Sequence, residues 1–283
     1  MHEALDSTST ETAAPPPVRV IIPTSEPGPW FDTVLESLSD QDYPALAVTL
    51  VHGPNESRGL PYEIDDIAGL ASVEVADGLG FGAKVNQAAM MSEEPLLLIM
   101  HDDVALEPSS LSSLVREYLR RRETNTVVSP KLLDWNDPKQ LMPAGFEADA
   151  FGMTTPLVRS GDFDQGQQDR VSELFGASTA CLLINRDVFE SVGGFDEAMD
   201  WYGEAHDLAL RVRSTGGSVV LVPTAKARHR GDMASRDAPN RVLRERRHQM
   251  RSVLAASKTS AIPGLLARLR SFTSLNLSYR SSG

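Results

Sequence analysis

The chain has 283 residues, a net charge of −12 and a mean hydropathy of −0.22. Hydrophobic residues make up 41% and charged residues 23%, which excludes a collagen-like or wholly disordered chain; the length suits one large domain or two small ones. The apolar run Leu96–Met100 falls far short of the ~20 residues that a membrane-spanning helix needs. No basic segment followed by an apolar one marks the N-terminus as a secretory leader. Cys181 is the only cysteine, so no internal disulfide can form, and a cytoplasmic protein is expected.

Charge is unevenly spread. Residues 1–225 carry 14 basic and 36 acidic side chains, whereas residues 226–283 carry 13 basic and 3 acidic ones. An acidic body argues against a nucleic-acid surface, which needs cations along the phosphate track. The basic C-terminal stretch fits an anionic membrane surface or a phosphorylated ligand, and equally a solvated helix face.

Residues 1–17 are polar and end in three prolines, which reads as a disordered lead-in. Val18–Pro23 is a β-branched apolar run, a buried strand. Phe31, Val34, Leu35 and Leu38 follow at helical spacing. Ala47–Val51 and Val73–Val75 read as strands two and three. The Gly-rich stretch 78–82 leads into a helix carrying Val85, Ala88 and Ala89, and Leu96–Met100 is a further buried strand. It stops at His101-Asp102-Asp103. Pro108-Ser109 opens a helix with Leu111, Leu114, Val115, Tyr118 and Leu119 on one face, and Thr126–Ser129 follows as a strand. Residues 131–170 are rich in Gly, Pro, Asp and Gln and read as a long functional loop. Ala180–Ile184 is a strand, Phe189–Gly194 closes a short helix, Asp207–Arg213 lies on another, and Ser218–Val222 is the last core strand. This alternation predicts an α/β fold with a largely parallel sheet flanked by helices. Ligands then bind beyond the carboxyl ends of the strands, which places Thr24, His52 and the His101–Asp103 turn on one rim.

Adjacent carboxylates at the end of an apolar strand are costly unless a cation or donors satisfy them. Asp102-Asp103 therefore suits a hard cation held against a diphosphate, although an Asp pair can also simply cap a turn. His229, in KARHRGD, can be a structural histidine or a neutral imidazole ligand. Glu204, His206 and Asp207, in WYGEAHDLALR, stand at a predicted loop–helix junction, where carboxylates either cap the helix or face a ligand.

In order along the chain, VRVIIPT, LSDQDYP, GLGFGAKVNQA, LLLIMHDDVALEP, ACLLINRDVFESVGGFDEAMDWYGEAHDLALRVRSTGG and VPTAKARHRG together resemble glycosyltransferase family 2 over roughly residues 18–256. SPKLLDWNDPKQLMPAGFEADAFG and GDFDQGQQD further resemble an actinobacterial, membrane-associated subgroup in which such a domain often precedes a membrane-embedded region. The resemblance implies the GT-A fold: a mostly parallel central sheet flanked by helices, with a Rossmann-like nucleotide-binding half and an acceptor half. It implies a domain over 18–239 after the 1–17 tail, with basic amphipathic helices in 240–283. It also implies inverting sugar transfer from a nucleotide-sugar donor to a cell-envelope glycan or lipid-linked acceptor, at the inner face of the membrane, with Mn²⁺ or Mg²⁺ as cofactor.

Carried over residue by residue, Pro23, Thr24, His52, Lys84 and Asp102 would contact the nucleotide. Asp103, His229 and His101 would hold the metal, and Trp201 would meet the acceptor. His101 replaces the first Asp of the usual metal motif, and His52 stands where many members carry a base-reading Asp. The family's usual Glu-Asp pair reads here as Glu204-Ala205. Alanine cannot accept a proton, so Glu204 or Asp207 is expected to act as the catalytic base. Two rival readings follow: a catalytically impaired nucleotide-sugar-binding relative, favoured by Ala205, and a sugar-nucleotide nucleotidyltransferase. For the latter no Gly-rich basic loop follows the first strand.

In the C-terminal stretch, Leu243, Met250, Val253 and Leu254 share a helical face among arginines, as do Ile262, Leu265, Leu266, Leu269 and Phe272. Basic amphipathic helices of this kind either lie in a membrane interface or pack on the body.

Overall fold

The computed structural model describes residues 14–25, 27–55, 70–122, 124–149, 152–199, 202–231 and 238–256. The first half alternates strand and helix: β1 (Val18–Pro23), α1 (Phe31–Ser39), β2 (Leu46–His52), β3 (Leu70–Glu74), α2 (Phe81–Met90) and β4 (Leu96–Met100). β1 pairs in parallel with β2 on one side and β4 on the other, and β2 pairs in parallel with β3. All four strands therefore end on the same rim. Every residue of β4 is buried, as a strand covered on both faces requires. Phe31, Val34, Leu35 and Leu38 of α1 face the core, the stripe expected from their 3.6-residue spacing.

The second half is mixed. After β5 (Val104–Leu106) and α3 (Ser110–Arg120) come β6 (Thr126–Asp134), β7 (Gln140–Met142), β8 (Gly145–Ala148), β9 (Thr154–Pro156) and β10 (Asp162–Phe163). They are followed by β11 (Ser172–Leu174), β12 (Gly176–Ala177), β13 (Cys181–Asn185), α4 (Arg186–Ser191), α5 (Glu204–Ser214), β14 (Ser218–His229) and α6 (Ala238–Ala256). The main sheet has eleven strands, with a backbone order of β10-β7-β6-β13-β4-β1-β2-β3; β14 lies beside β6, β5 and β11. β8, β9 and β12 form a separate three-stranded sheet. β13 runs antiparallel between β4 and β6, so its start, not its end, meets the rim.

Two expectations need correction. Residues 131–170 are not a long loop: β6 continues to Asp134, and β7 to β10 follow. Those strands are two to four residues long, too short to display an alternating pattern among their glycines and prolines. Lys131, only 1% exposed, anchors this region by ion pairs to Asp164 (2.5 Å) and Asp169 (2.6 Å). The last core strand does not stop at Val222 either. Its register with β6 shifts between Val222 and Lys226 and then resumes as far as His229. Pro223 sits in that irregularity, where its missing N–H costs no ladder bond. The short helix begins at Arg186, capped by Asn185 Oδ1, which accepts from Val188 N at 3.1 Å. It is over by Gly193 and Gly194, both at positive φ.

Candidate active site

The parallel strands deliver the first residues of the site. Pro23 closes β1 opposite Val51, and Thr24 N donates to Val51 O at 2.9 Å. Lys84 is 3% exposed on α2; its Nζ donates to Thr24 O and to Ser25 Oγ, both at 3.0 Å. A buried ammonium is thus held at the end of β1. His52 ends β2 with Nδ1 2.9 Å from Gly53 O and Nε2 2.7 Å from Ser72 Oγ. A carbonyl only accepts, so Nδ1 carries the proton and Ser72 donates to Nε2. The imidazole is committed to its own rim. Asp102 lies half-buried in the turn after β4.

β14 supplies the long-range partner. Its antiparallel pairing with β5 sets His229 opposite Val104, and Arg230 N donates to Asp103 O at 3.1 Å. His229 Nε2 consequently lies 3.3 Å from Asp103 Oδ1, and His101 Nδ1 lies 3.9 Å from the same oxygen. One ligand atom from each of His101, Asp103 and His229 falls within 4.8 Å of the others. Asp103 is 1% exposed. Two imidazoles and one carboxylate converging at the mouth of a sheet are a donor set for a divalent transition-metal ion; the carboxylate suits Mn²⁺ and the imidazoles disfavour Mg²⁺, so these residues fit the manganese form of the implied cofactor. The His101 ring packs edge-on against Phe81 (centroids 5.1 Å) and His229 (5.7 Å). Burial, helped by His229 and opposed by Asp103, lowers its pKa from 6.5 to about 4. It is therefore neutral at physiological pH, the form that can ligate a metal.

β13 joins this centre to a second one. His101 N donates to Ala180 O at 3.0 Å, and His101 Nε2 lies 3.3 Å from Thr179 Oγ1. Thr179 Oγ1 in turn donates to Glu204 Oε1 at 3.2 Å. Glu204 opens α5, and its other oxygen, Oε2, is buried with no hydrogen-bond partner. Burial raises the Glu204 pKa, and Glu245 pushes it in the same direction, while Thr179 and His248 oppose. Glu204 lines a cavity of about 390 Å³ together with Phe146, Thr179, Tyr202, Ala205 and Gln249.

The other acidic candidate is placed differently. The Asp207 carboxylate accepts from Arg211 Nε at 2.8 Å and Nη2 at 2.5 Å. Arg211 also donates to the carbonyls of Val192 and Gly194. Asp207 thus ties α5 to the turn after α4 and is not part of the cavity wall. His206 is 2% exposed, its ring stacked on Phe175 (centroids 5.8 Å). Trp201 lies outside the described residues, as do residues 262–272.

α6 completes the cavity. Glu245, Arg246 and Gln249 line it. Gln249 Nε2 donates to Thr154 Oγ1 at 2.6 Å, and His248 Nδ1 donates to Tyr202 O. The helix buries His248, Gln249 and Ser252 and exposes Leu243 and Met250, so its inward face is polar. Neither Thr179 nor this polar face stands out in the sequence. The only hint of Thr179 is a small polar pair, Ser178-Thr179, directly ahead of an apolar strand.

The α/β sheet thus carries a histidine–aspartate cluster at its rim and a buried carboxylate beside a cavity. Residues 15–252 match the family described as "Glycosyltransferase like family 2", and the chain belongs to that family. It is 28% identical over 234 residues to the O-antigen biosynthesis protein RfbC of Myxococcus xanthus, covering 79% of this chain but only 18% of that protein. It is 25% identical over 231 residues to N-acetylglucosaminyl-diphospho-decaprenol L-rhamnosyltransferase of Mycobacterium tuberculosis, covering 74% of this chain and 75% of the relative. Among solved structures, GalNAc-T7 with UDP, GalNAc and Mn²⁺ superposes with a TM-score of 0.59 at 14% identity, covering 76% of this chain and 44% of that one. S. aureus TarS 1-349 in complex with UDP gives 0.59 at 13% identity, covering 85% and 65%. These two likenesses establish the fold.

Proposed function

We propose that the chain is an inverting, divalent-metal-dependent glycosyltransferase that moves a sugar from a nucleotide-sugar donor to a cell-envelope glycan or lipid-linked acceptor. The observation that carries this reading is the convergence of His101, Asp103 and His229 at the strand rim, joined through Thr179 to Glu204 at the cavity. Pro23, Thr24, His52, Lys84 and Asp102 line the nucleotide side, with Lys84 as the cation nearest the first strand end. Asp103, His229 and His101 would hold the metal, which would supply positive charge against the departing diphosphate.

Glu204 is the base. Its free oxygen takes the proton of the acceptor hydroxyl as that oxygen bonds to the anomeric carbon. The bond from the anomeric carbon to the diphosphate breaks, and the nucleoside diphosphate leaves with the electron pair. A carboxylate whose pKa is raised by burial suits general-base work better than an ordinary one. The acceptor occupies the cavity lined by Glu204, and Trp201 is the proposed aromatic contact to its sugar. The names of the relatives, one acting on a diphospho-decaprenol-linked sugar and one in O-antigen synthesis, support a cell-envelope acceptor.

The exposed side of α6, with Leu243, Met250, Arg246 and Arg247, supports peripheral attachment to an anionic membrane surface. No described helix is long and apolar enough to cross a membrane. The competing reading, an impaired donor-binding relative, rests on Ala205, which lines the cavity next to Glu204. A panel of nucleotide sugars with Mn²⁺ and a lipid-linked acceptor, followed for nucleoside diphosphate release, decides between them. Metal-dependent turnover that is lost in Asp103→Ala is expected; donor binding without turnover on any donor–acceptor pair would establish the impaired relative.

A further inference from the structure

The link between the two centres is a single hydroxyl. Thr179 is 5% exposed and sits where antiparallel β13 begins, held to the metal turn by the His101 N to Ala180 O bond. A threonine hydroxyl owns one proton and two acceptor sites. Glu204, as a carboxylate, only accepts, so the Thr179 proton is spent on Glu204 Oε1. What remains for His101 is the lone pair on Oγ1, which needs an N–H from Nε2. The imidazole then carries its proton on Nε2 and its lone pair on Nδ1, the nitrogen that faces Asp103 Oδ1 at 3.9 Å. The same bond ties one oxygen of Glu204 and leaves Oε2 buried with no hydrogen-bond partner, on a residue that lines the cavity.

We propose that Thr179 is a positioning residue with two outputs: it selects the His101 tautomer that presents Nδ1 to the metal, and it orients Glu204 so that its second oxygen meets the acceptor. This rests on the sugar-transfer reading for Glu204 but not for His101. Metal-bound histidines usually donate their far N–H to a carboxylate, carbonyl or water, and losing such a partner typically costs about 10–100-fold in metal affinity or activity. Here the partner is a hydroxyl that passes the carboxylate's influence on to the ring.

Thr179→Val and Thr179→Ser separate this role from packing. Valine keeps the shape and deletes the hydroxyl; serine keeps the hydroxyl and deletes the methyl. Mn²⁺ affinity of the donor-free protein, read from the electron paramagnetic resonance of free Mn²⁺, is expected to weaken by about 10–100-fold in Thr179→Val and to return to near wild type in Thr179→Ser. Two-bond ¹⁵N spectra of the metal-free, histidine-labelled protein are expected to report a protonated Nε2 at His101 in wild type, and mixed tautomers in Thr179→Val. Matched thermal melts establish that both variants fold.

Unchanged Mn²⁺ affinity in folded Thr179→Val, a valine variant that outperforms serine, or a wild-type His101 protonated on Nδ1 would each overturn the proposal. Turnover adds the second output: kcat is expected to fall in Thr179→Val at saturating Mn²⁺ and to recover in Thr179→Ser. If the metal and tautomer results hold while no donor is turned over, the transferase reading fails and the metal-side role of Thr179 stands.

Discussion

The two halves of the site are built on opposite principles. On the proposed donor side, four parallel strands end together, and the backbone alone brings Pro23, His52 and the His101–Asp103 turn to one edge. On the proposed acceptor side no such rule operates. Glu204 reaches the cavity from a helix start, Thr179 from the start of an antiparallel strand, and Gln249 from a C-terminal helix. The donor side depends on topology, which many substitutions leave intact. The acceptor side depends on individual contacts, so single changes there should alter function without touching the nucleotide rim.

Glu204 offers the sharpest test of that asymmetry. Glu204→Gln keeps size and the acceptor oxygen for Thr179 but removes the base, so kcat is expected to drop by about 10²–10⁴-fold with Mn²⁺ and donor affinity kept within severalfold. Asp207→Asn should do the reverse. It weakens the Arg211 clamp, lowers stability by about 1–3 kcal/mol and leaves the turnover of folded protein largely intact. Steady-state kinetics and urea melts of the pair check both. Equal kinetic losses in the two variants would mean that the acidic start of α5 acts as a unit.

The next largest effect falls on the seam between α5 and α6. Gly203, at φ +100°, precedes Glu204, and a Cβ there would lie 2.5 Å from the Cβ of His248. Tyr202, at φ +63°, is the one non-glycine residue with positive φ among those described, and its carbonyl accepts from His248. Gly203→Ala must strain the backbone or push α6 away. A loss of about 2–3 kcal/mol is expected, together with a raised acceptor KM and unchanged Mn²⁺ affinity. An unchanged acceptor KM would detach α6 from the acceptor site.

The same contrast governs what could be seen in the sequence. β1, β2 and β4 are legible because buried parallel strands are continuous apolar runs, and α1 and α3 because their apolar residues recur at helical spacing. The position of the His101–Asp103 turn on the rim is legible because strand ends in such sheets collect ligands. β7 to β12 are not, since strands of two to four residues carry no period. α6 divides its apolar stripe: the structure exposes Leu243 and Met250, half-buries Val253 and Leu254, and fully buries the polar His248, Gln249 and Ser252. The surface they meet is polar, a carbonyl of Tyr202 and a hydroxyl of Thr154, so hydrogen bonding rather than hydrophobicity decides the buried face. Glu204 was visible as a carboxylate, but only the arginine clamp on Asp207 distinguishes the two acids.

The smallest predicted effect returns to the donor side and tests whether His101 is neutral. The unfolded chain binds a proton on this histidine as pH falls through about 6.5, whereas the folded site, with a pKa of about 4, does not. Between these values the unfolded state holds more protons, so stability falls as pH falls, and the loss levels off below about 4. Between pH 7 and pH 5 this one residue should cost the metal-free protein about 2 kcal/mol. Urea melts in the presence of a chelator, compared with those of His101→Asn, isolate the contribution because the other titrating groups largely cancel. The variant is expected to lose less stability on acidification by roughly that amount. Parallel curves would mean that His101 is open enough to protonate like an ordinary surface histidine, and the donor side would then be as dependent on solvent as its neighbour is on contacts.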